Sequence, residues 1–97
     1  MQLAEKFDSE ETAILVAARN GIVEMVNEII SKTPTAIHET NSKKKNVLHV
    51  AVENRQPLIV EALKNRFEQE EKELIFYNLK LGVDDQENTV LHLAATL

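Results

Sequence analysis

Three histidines, a pair of adjacent aspartates and a run of three lysines are the side chains here whose types could do chemistry. His49 and His92 recur inside one pattern, Leu48-His49-Val50-Ala51 and Leu91-His92-Leu93-Ala94. A histidine can serve as a general base or a metal ligand, but either role needs partners at fixed spacing. His38 lies in a polar stretch without Cys, Asp or a second His at ligand spacing, and the H-E-x-x-H pattern is absent. Asp84-Asp85 with Glu87 is similar to a fragment of a calcium loop, but the alternating acids and the Gly of that loop are missing. Lys43-Lys44-Lys45 could serve as a targeting or phosphate-binding patch, yet a run this short reads as a solvated loop tip. No Gly-rich phosphate loop, nucleophile elbow or paired acid in an apolar pocket occurs. Without cysteine there is no disulfide, thiolate metal site or thiol nucleophile. The chemistry therefore points away from an enzyme, and no cofactor or metal is expected.

The two histidines sit in a motif that repeats. Ile14 and Leu48 are 34 positions apart, as are Ala17 and Ala51, and Val26 and Val60 keep the same offset. The third copy follows at 43 (Leu48 to Leu91, Ala51 to Ala94), which places a nine-residue insertion between copies two and three. A unit of this kind cannot bury its own apolar face and must stack on its neighbours. His49 and His92 are then structural, polar anchors in an apolar motif. Leu48 and Ala51, in the middle copy, belong to the core.

At 97 residues the chain forms one small domain. Hydrophobic residues make up 43% and aromatic residues 4%, so the core is aliphatic and alanine-rich, which suits closely packed helices. The net charge of −5 argues against nucleic acid, whose binding depends on phosphate neutralisation. The first residues lack the apolar region of a signal peptide. No run approaches the roughly 20 apolar residues that span a bilayer, so a soluble chain in a reducing compartment is expected.

Residues 1–10 read as an amphipathic lead-in with Leu3 and Phe7. A first helix is expected over about 11–19, broken by Asn20-Gly21, which both tolerate positive φ. The next runs from about Ile22 to Lys32, with Ile22, Met25, Val26, Ile29 and Ile30 as its apolar stripe; Thr33-Pro34 ends it. Asn46 caps a helix to about Asn54, and Pro57 opens an outer helix bearing Leu58, Ile59, Ala62, Leu63 and Phe67. Across the charged stretch at 68–73 the outer helix either continues to about Leu79 or stops near Glu68 and restarts as a short helix around Leu74–Tyr77; the break is favoured, since a continuous helix would leave an exposed polar stretch within an apolar seam. A last helix begins at Thr89.

The phrase Thr89-Val90-Leu91-His92-Leu93-Ala94-Ala95 and its relatives at 12–18 and 46–52 resemble the ankyrin signature. The resemblance implies an all-α ankyrin-repeat solenoid of about two and a half repeats. These are repeat 1 at 11–40, repeat 2 with its insertion at 41–83 and part of repeat 3 at 84–97. Stretches 16–22, 46–57 and 83–95 further resemble the plant ankyrin-repeat membrane proteins with a C-terminal transmembrane PGG domain, associated with defence, cell death and salt-stress signalling. That implies a cytoplasmic location at the cytosolic face of a membrane, held there by a downstream region. Departures from the pattern are Leu15 for His, Asn46 for Thr, Arg55 for the helix-turn Gly and Glu87 for the finger Gly.

Stacked repeats present a concave surface of finger tips and exposed inner-helix positions. Mapped by motif, these are Arg19 and Asn20 in repeat 1, Ser42, Lys43, Lys45, Glu53 and Asn54 in repeat 2, and Asp85, Gln86 and Asn88 in repeat 3. The mixture of signs suits a protein partner better than a polyanion. The expected function is protein–protein interaction, with regulation in cis of an attached transmembrane region as the alternative. Val90, Leu91, Leu93, Ala94 and Leu97 leave an uncovered apolar face, so the chain is expected to be a fragment that self-associates there.

Overall fold

The turns explain why the helices are short. α1 (Ala13–Arg19) ends in a Schellman motif: the Gly21 and Ile22 amides bond back to the carbonyls of Ala18 and Ala17. Gly21 takes φ 74° to do so. The same geometry closes α3 (Val47–Glu53), but Arg55 occupies the left-handed position at φ 55°. It also closes α4 (Pro57–Gln69), with Glu71 at φ 58°. Asn20 and Asn54 reinforce the first two ends by donating side-chain amides to the carbonyls of Val16 and Val50. α4 therefore stops inside the acidic stretch, and α5 (Glu73–Leu81) starts afresh beyond it. The longer α4 and the added α5 absorb the insertion.

The computed structural model describes residues 11–95, and within that range the regular elements are all helical. Besides those named, they are α2 (Val23–Lys32), a 3-10 turn (Pro34–His38) and α6 (Val90–Ala95). α1, α3 and α6 stack as an inner layer, while α2 and α4 lie against them as an outer layer. α5 packs on α4 and touches α3 and α6. α3 is sandwiched between both inner neighbours, so Val47, Leu48 and Ala51 are fully buried. Ile14, Leu15, Ala17 and Ala18 meet them from α1, and Ile59, Leu63 and Phe67 from α4. Small residues at 17, 18 and 51 let these backbones approach closely, which is how a core with so few aromatics reaches close packing. Ala36 and Ile37 of the 3-10 turn close the core beneath α2.

Several expectations need correction. α1 begins at Ala13 and α2 at Val23, one or two residues later than the periodicity predicts. The stripe on α2 is narrower too: Val26 and Ile30 are buried, but Ile22 and Met25 are 43% and 46% exposed. Among the described residues α2 packs chiefly on α1, α4 and the 3-10 turn, which is less than its full apolar width. On α6, Leu93 is buried and Val90 half-buried against the core, so the open apolar face there reduces to Leu91 and the adjacent alanines. The lead-in at 1–10 and Leu97 lie outside the described residues.

Candidate protein-interaction surface

Two fingers precede α3 and α6, and they are built alike. Asn41 opens the first and Asp84 the second, 43 positions apart. The Asn41 Oδ1 accepts from the amides of Lys43 (2.9 Å) and Lys45 (3.0 Å). The Asp84 Oδ1 accepts from those of Gln86 and Asn88, both at 2.9 Å. Each finger is closed by one backbone bond, the Asn41 amide donating to the Lys45 carbonyl and the Asp84 amide to the Asn88 carbonyl. Lys44 and Glu87 stand at equivalent points with φ 61° and 64°, so the finger glycine that Glu87 replaces is absent from both copies. One backbone bond clips the fingers together: the Asp85 amide donates to the Lys43 carbonyl at 2.9 Å.

His49 ties this arrangement to the helices. Its Nδ1 accepts from the Asn46 amide (3.1 Å), while the Asn46 Oδ1 accepts from the amides of Leu48 and His49, forming a capping box. Its Nε2 lies 3.0 Å from the Asn88 carbonyl, which can only accept, so the ring is the neutral tautomer protonated on Nε2. The buried ring thus joins the backbone beside Lys45 to the following finger, because α6 and its finger stack on that side of α3. Asn46 adds a bond from Nδ2 to the Leu79 carbonyl at the end of α5. His92 repeats the local part only, accepting from the Thr89 amide at 3.1 Å, and its ring is exposed.

Lys45 departs most from the position expected for it. It is 8% exposed, and its ammonium lies 3.2 Å from Asp84 and 3.3 Å from Glu53. Burial opposes ionisation of Asp84, yet the amides of Asn88 and Gln86 and the Lys45 ammonium outweigh it and hold the carboxyl down at about 2. Burial likewise disfavours the Lys45 ammonium, but Asp84 and Glu53 together raise its pKa above the ordinary 10.5. Lys45 is therefore a strut between repeats rather than a free finger tip.

Around the strut lies an open groove of about 270 Å³, lined by Glu11, Arg19, Asn41, Lys43, Lys45, Val50, Glu53 and Asn54. It unites Arg19, Lys43, Lys45, Glu53 and Asn54 of the motif-mapped residues. Arg19 is neutralised by an ion pair with Glu11, and Glu53 by Lys45. Lys43 is exposed, and among the described residues its ammonium has no ion-pair partner. Asn20, Ser42, Asp85 and Gln86 are exposed outside the groove, whereas Asn88 is half-buried with its backbone engaged by His49 and Asp84.

Motif mapping misses Asn41, Asp84 and Glu11. The shared offset of 43 marks the first two; Glu11 carries no periodic signal. Among the described residues no group of three or more His, Asp or Glu is placed to hold a metal ion, and no helix is long and apolar enough to cross a membrane. A family model described as ankyrin repeats (three copies) matches residues 2–74. No match was found among curated proteins.

Proposed function

Because the chain belongs to the ankyrin-repeat family, we propose that its concave groove holds a segment of another protein. Ankyrin repeats are generally protein–protein interaction modules and are typically non-enzymatic. The observation that carries the reading to this groove is Lys43. Its backbone is locked on both sides, by Asn41 and by Asp85, while its charged head stays in solvent and unpaired among the described residues. A cation presented from a fixed backbone costs little ordering on association. The neighbouring charges of Arg19, Lys45 and Glu53 already have partners, which leaves Lys43 to select a segment bearing a carboxylate.

The test compares capture of partners from an extract by the parent and by Lys43→Glu. Capture should fall with melting temperature unchanged, whereas Glu24→Lys with Glu28→Lys on α2 should alter neither. Lys45 is unsuitable for this purpose, since reversing it breaks the strut. Equal losses from both sets would point to the convex face or to regulation in cis.

The stretches at 16–22, 46–57 and 83–95 support a place among plant signalling or defence-related proteins that carry these repeats on the cytosolic face of a membrane. The finger equivalence of Asn41 and Asp84 supports repeat boundaries at 40/41 and 83/84. Leu91, 78% exposed on α6, supports self-association through that helix, and light scattering coupled to size exclusion tests it.

A further inference from the structure

The seam between repeats 1 and 2 is not closed along its whole length. α2 ends at Lys32, and at the offset of 34 α4 would end at Arg66, but it runs on to Gln69. Glu71, at φ 58°, then reverses the chain, and the Lys72 amide donates to the Phe67 carbonyl at 2.7 Å before α5 begins. A notch of about 290 Å³ is left between the start of α5 and the 3-10 turn that follows α2. Its two walls are the adjoining repeats themselves, so the opening belongs to their seam.

The floor is apolar. Ile30 and Ile37 come from repeat 1, and Phe67 and Ile75 from repeat 2. The first three are buried and Ile75 is half-buried. The Arg66 guanidinium lines the notch, donating to the Ser31 hydroxyl at 3.1 Å and to the Asn27 carbonyl at 3.2 Å, with Glu70 matching its charge at 3.3 Å. His38 and Lys72 complete the rim. Both are exposed, and among the described residues neither side chain has a hydrogen-bond or ion-pair partner. Their backbones are fixed, His38 at the end of the 3-10 turn and Lys72 by its bonds to Phe67 and to the Ile75 amide.

We infer that this notch binds a small molecule with an aromatic or branched apolar body and a single carboxylate, the body over Ile37 and Phe67 and the carboxylate at Lys72 and His38. Size sets the first part. At about 30 Å³ per water, the notch holds about ten waters, room for one ring with a short arm. A helix about 10–12 Å across does not fit such a space. Charge sets the second part. Arg66 and Glu70 cancel, so Lys72 leaves one positive charge in excess. Either neutral tautomer of His38 keeps an N–H to donate, and one carboxylate can accept from both groups. A second negative charge would find no cation left and Glu70 beside it. Because both donors stand on fixed backbone, docking orders little more than their tips. The notch shares no lining residue with the concave groove and stands or falls independently of it.

The probe is phenylacetate, titrated into the 15N-labelled full chain and followed by amide chemical shifts. For ten non-hydrogen atoms the expected dissociation constant is about 1 mM, with saturating shifts confined to residues 35–39 and 67–75. Phenylacetamide, the same body without the charge, should bind about fivefold more weakly, and Lys72→Glu should weaken phenylacetate by about as much, the scale of an exposed charge pair. Acetate, which lacks the body, should not saturate. Lys72 is exposed, and an amide spectrum unchanged away from the notch verifies that the variant folds. Absence of saturable shifts with phenylacetate, equal binding of acid and amide, or shifts centred on the concave groove would overturn the inference. So would saturation by acetyl-Gly-Gly-Phe alone, since the occupant would then be the end of a protein chain.

Discussion

Replacing Asp84 by Asn isolates the strut that joins the fingers to α3. Asparagine at this position copies Asn41, so its Oδ1 can keep the two turn bonds from Gln86 and Asn88. What disappears is the negative charge 3.2 Å from Lys45. The Asp84 carboxyl is held at about 2 against an ordinary 3.8. At about 1.4 kcal/mol per pKa unit, that lowering is worth about 2 kcal/mol, part of it owed to amides that asparagine also accepts from. The expected cost of Asp84→Asn at neutral pH is therefore about 1–2 kcal/mol. The sign follows from a folded-state pKa below the unfolded one. The stabilisation is complete above 3.8 and is lost as pH falls through the range toward about 2. Parent and variant should differ in urea midpoint by roughly 0.5–1 M in far-UV circular dichroism at neutral pH, for a slope of about 2 kcal/mol per molar. The gap should hold on acidification until the ordinary carboxyl range and then narrow. Equal midpoints at neutral pH, or a gap that stays constant below 3.8, would refute the role assigned to the ion pair.

Three further substitutions bear on the stacking. His49→Leu strands the Asn46 amide and the Asn88 carbonyl and should cost about 1–3 kcal/mol. It should still fold, since Leu15 fills the equivalent site of α1, and denaturant unfolding measures the difference. Leu48→Ala empties a fully buried site between three helices and should cost about 2–5 kcal/mol by the same assay. A melting temperature within a degree of the parent would contradict its place in the core. Arg55→Gly relieves a left-handed residue and should raise stability by up to about 1 kcal/mol; Gly21→Ala, strained at φ 74° and driven into Gln56, should lower it.

Much of the fold is legible because stacking repeats its demands along the chain. The offset of 34 aligns Ile14 with Leu48 and Ala17 with Ala51, and all four are buried. Asn20-Gly21 announces its turn through residues that tolerate positive φ. Arg55 and Glu71 make the same turn without such a signal, because surrounding helix packing imposes it on side chains that oppose it. The surface is less legible. Lys45 sits in a run of identical residues and looks like its neighbours, yet its partner Asp84 arrives 39 positions later only when the fingers stack. Gln56 and Arg66 answer carbonyls 37 and 39 positions earlier, and a carbonyl leaves no mark in a sequence. Asn41 and Asp84 share the offset of the histidines, so the common finger geometry was open to the same arithmetic.

The central claim is that a partner protein seats in the concave groove beside Lys43. The direct measurement introduces a photo-crosslinking amino acid at position 43 and, in a separate protein, at position 28 on the exposed side of α2. Both are irradiated in extract, and the adducts are identified by mass spectrometry. The account predicts a discrete protein adduct from position 43 that is absent from position 28 and competed by unlabelled chain. Adducts of equal yield from both positions, or from position 28 alone, would contradict it.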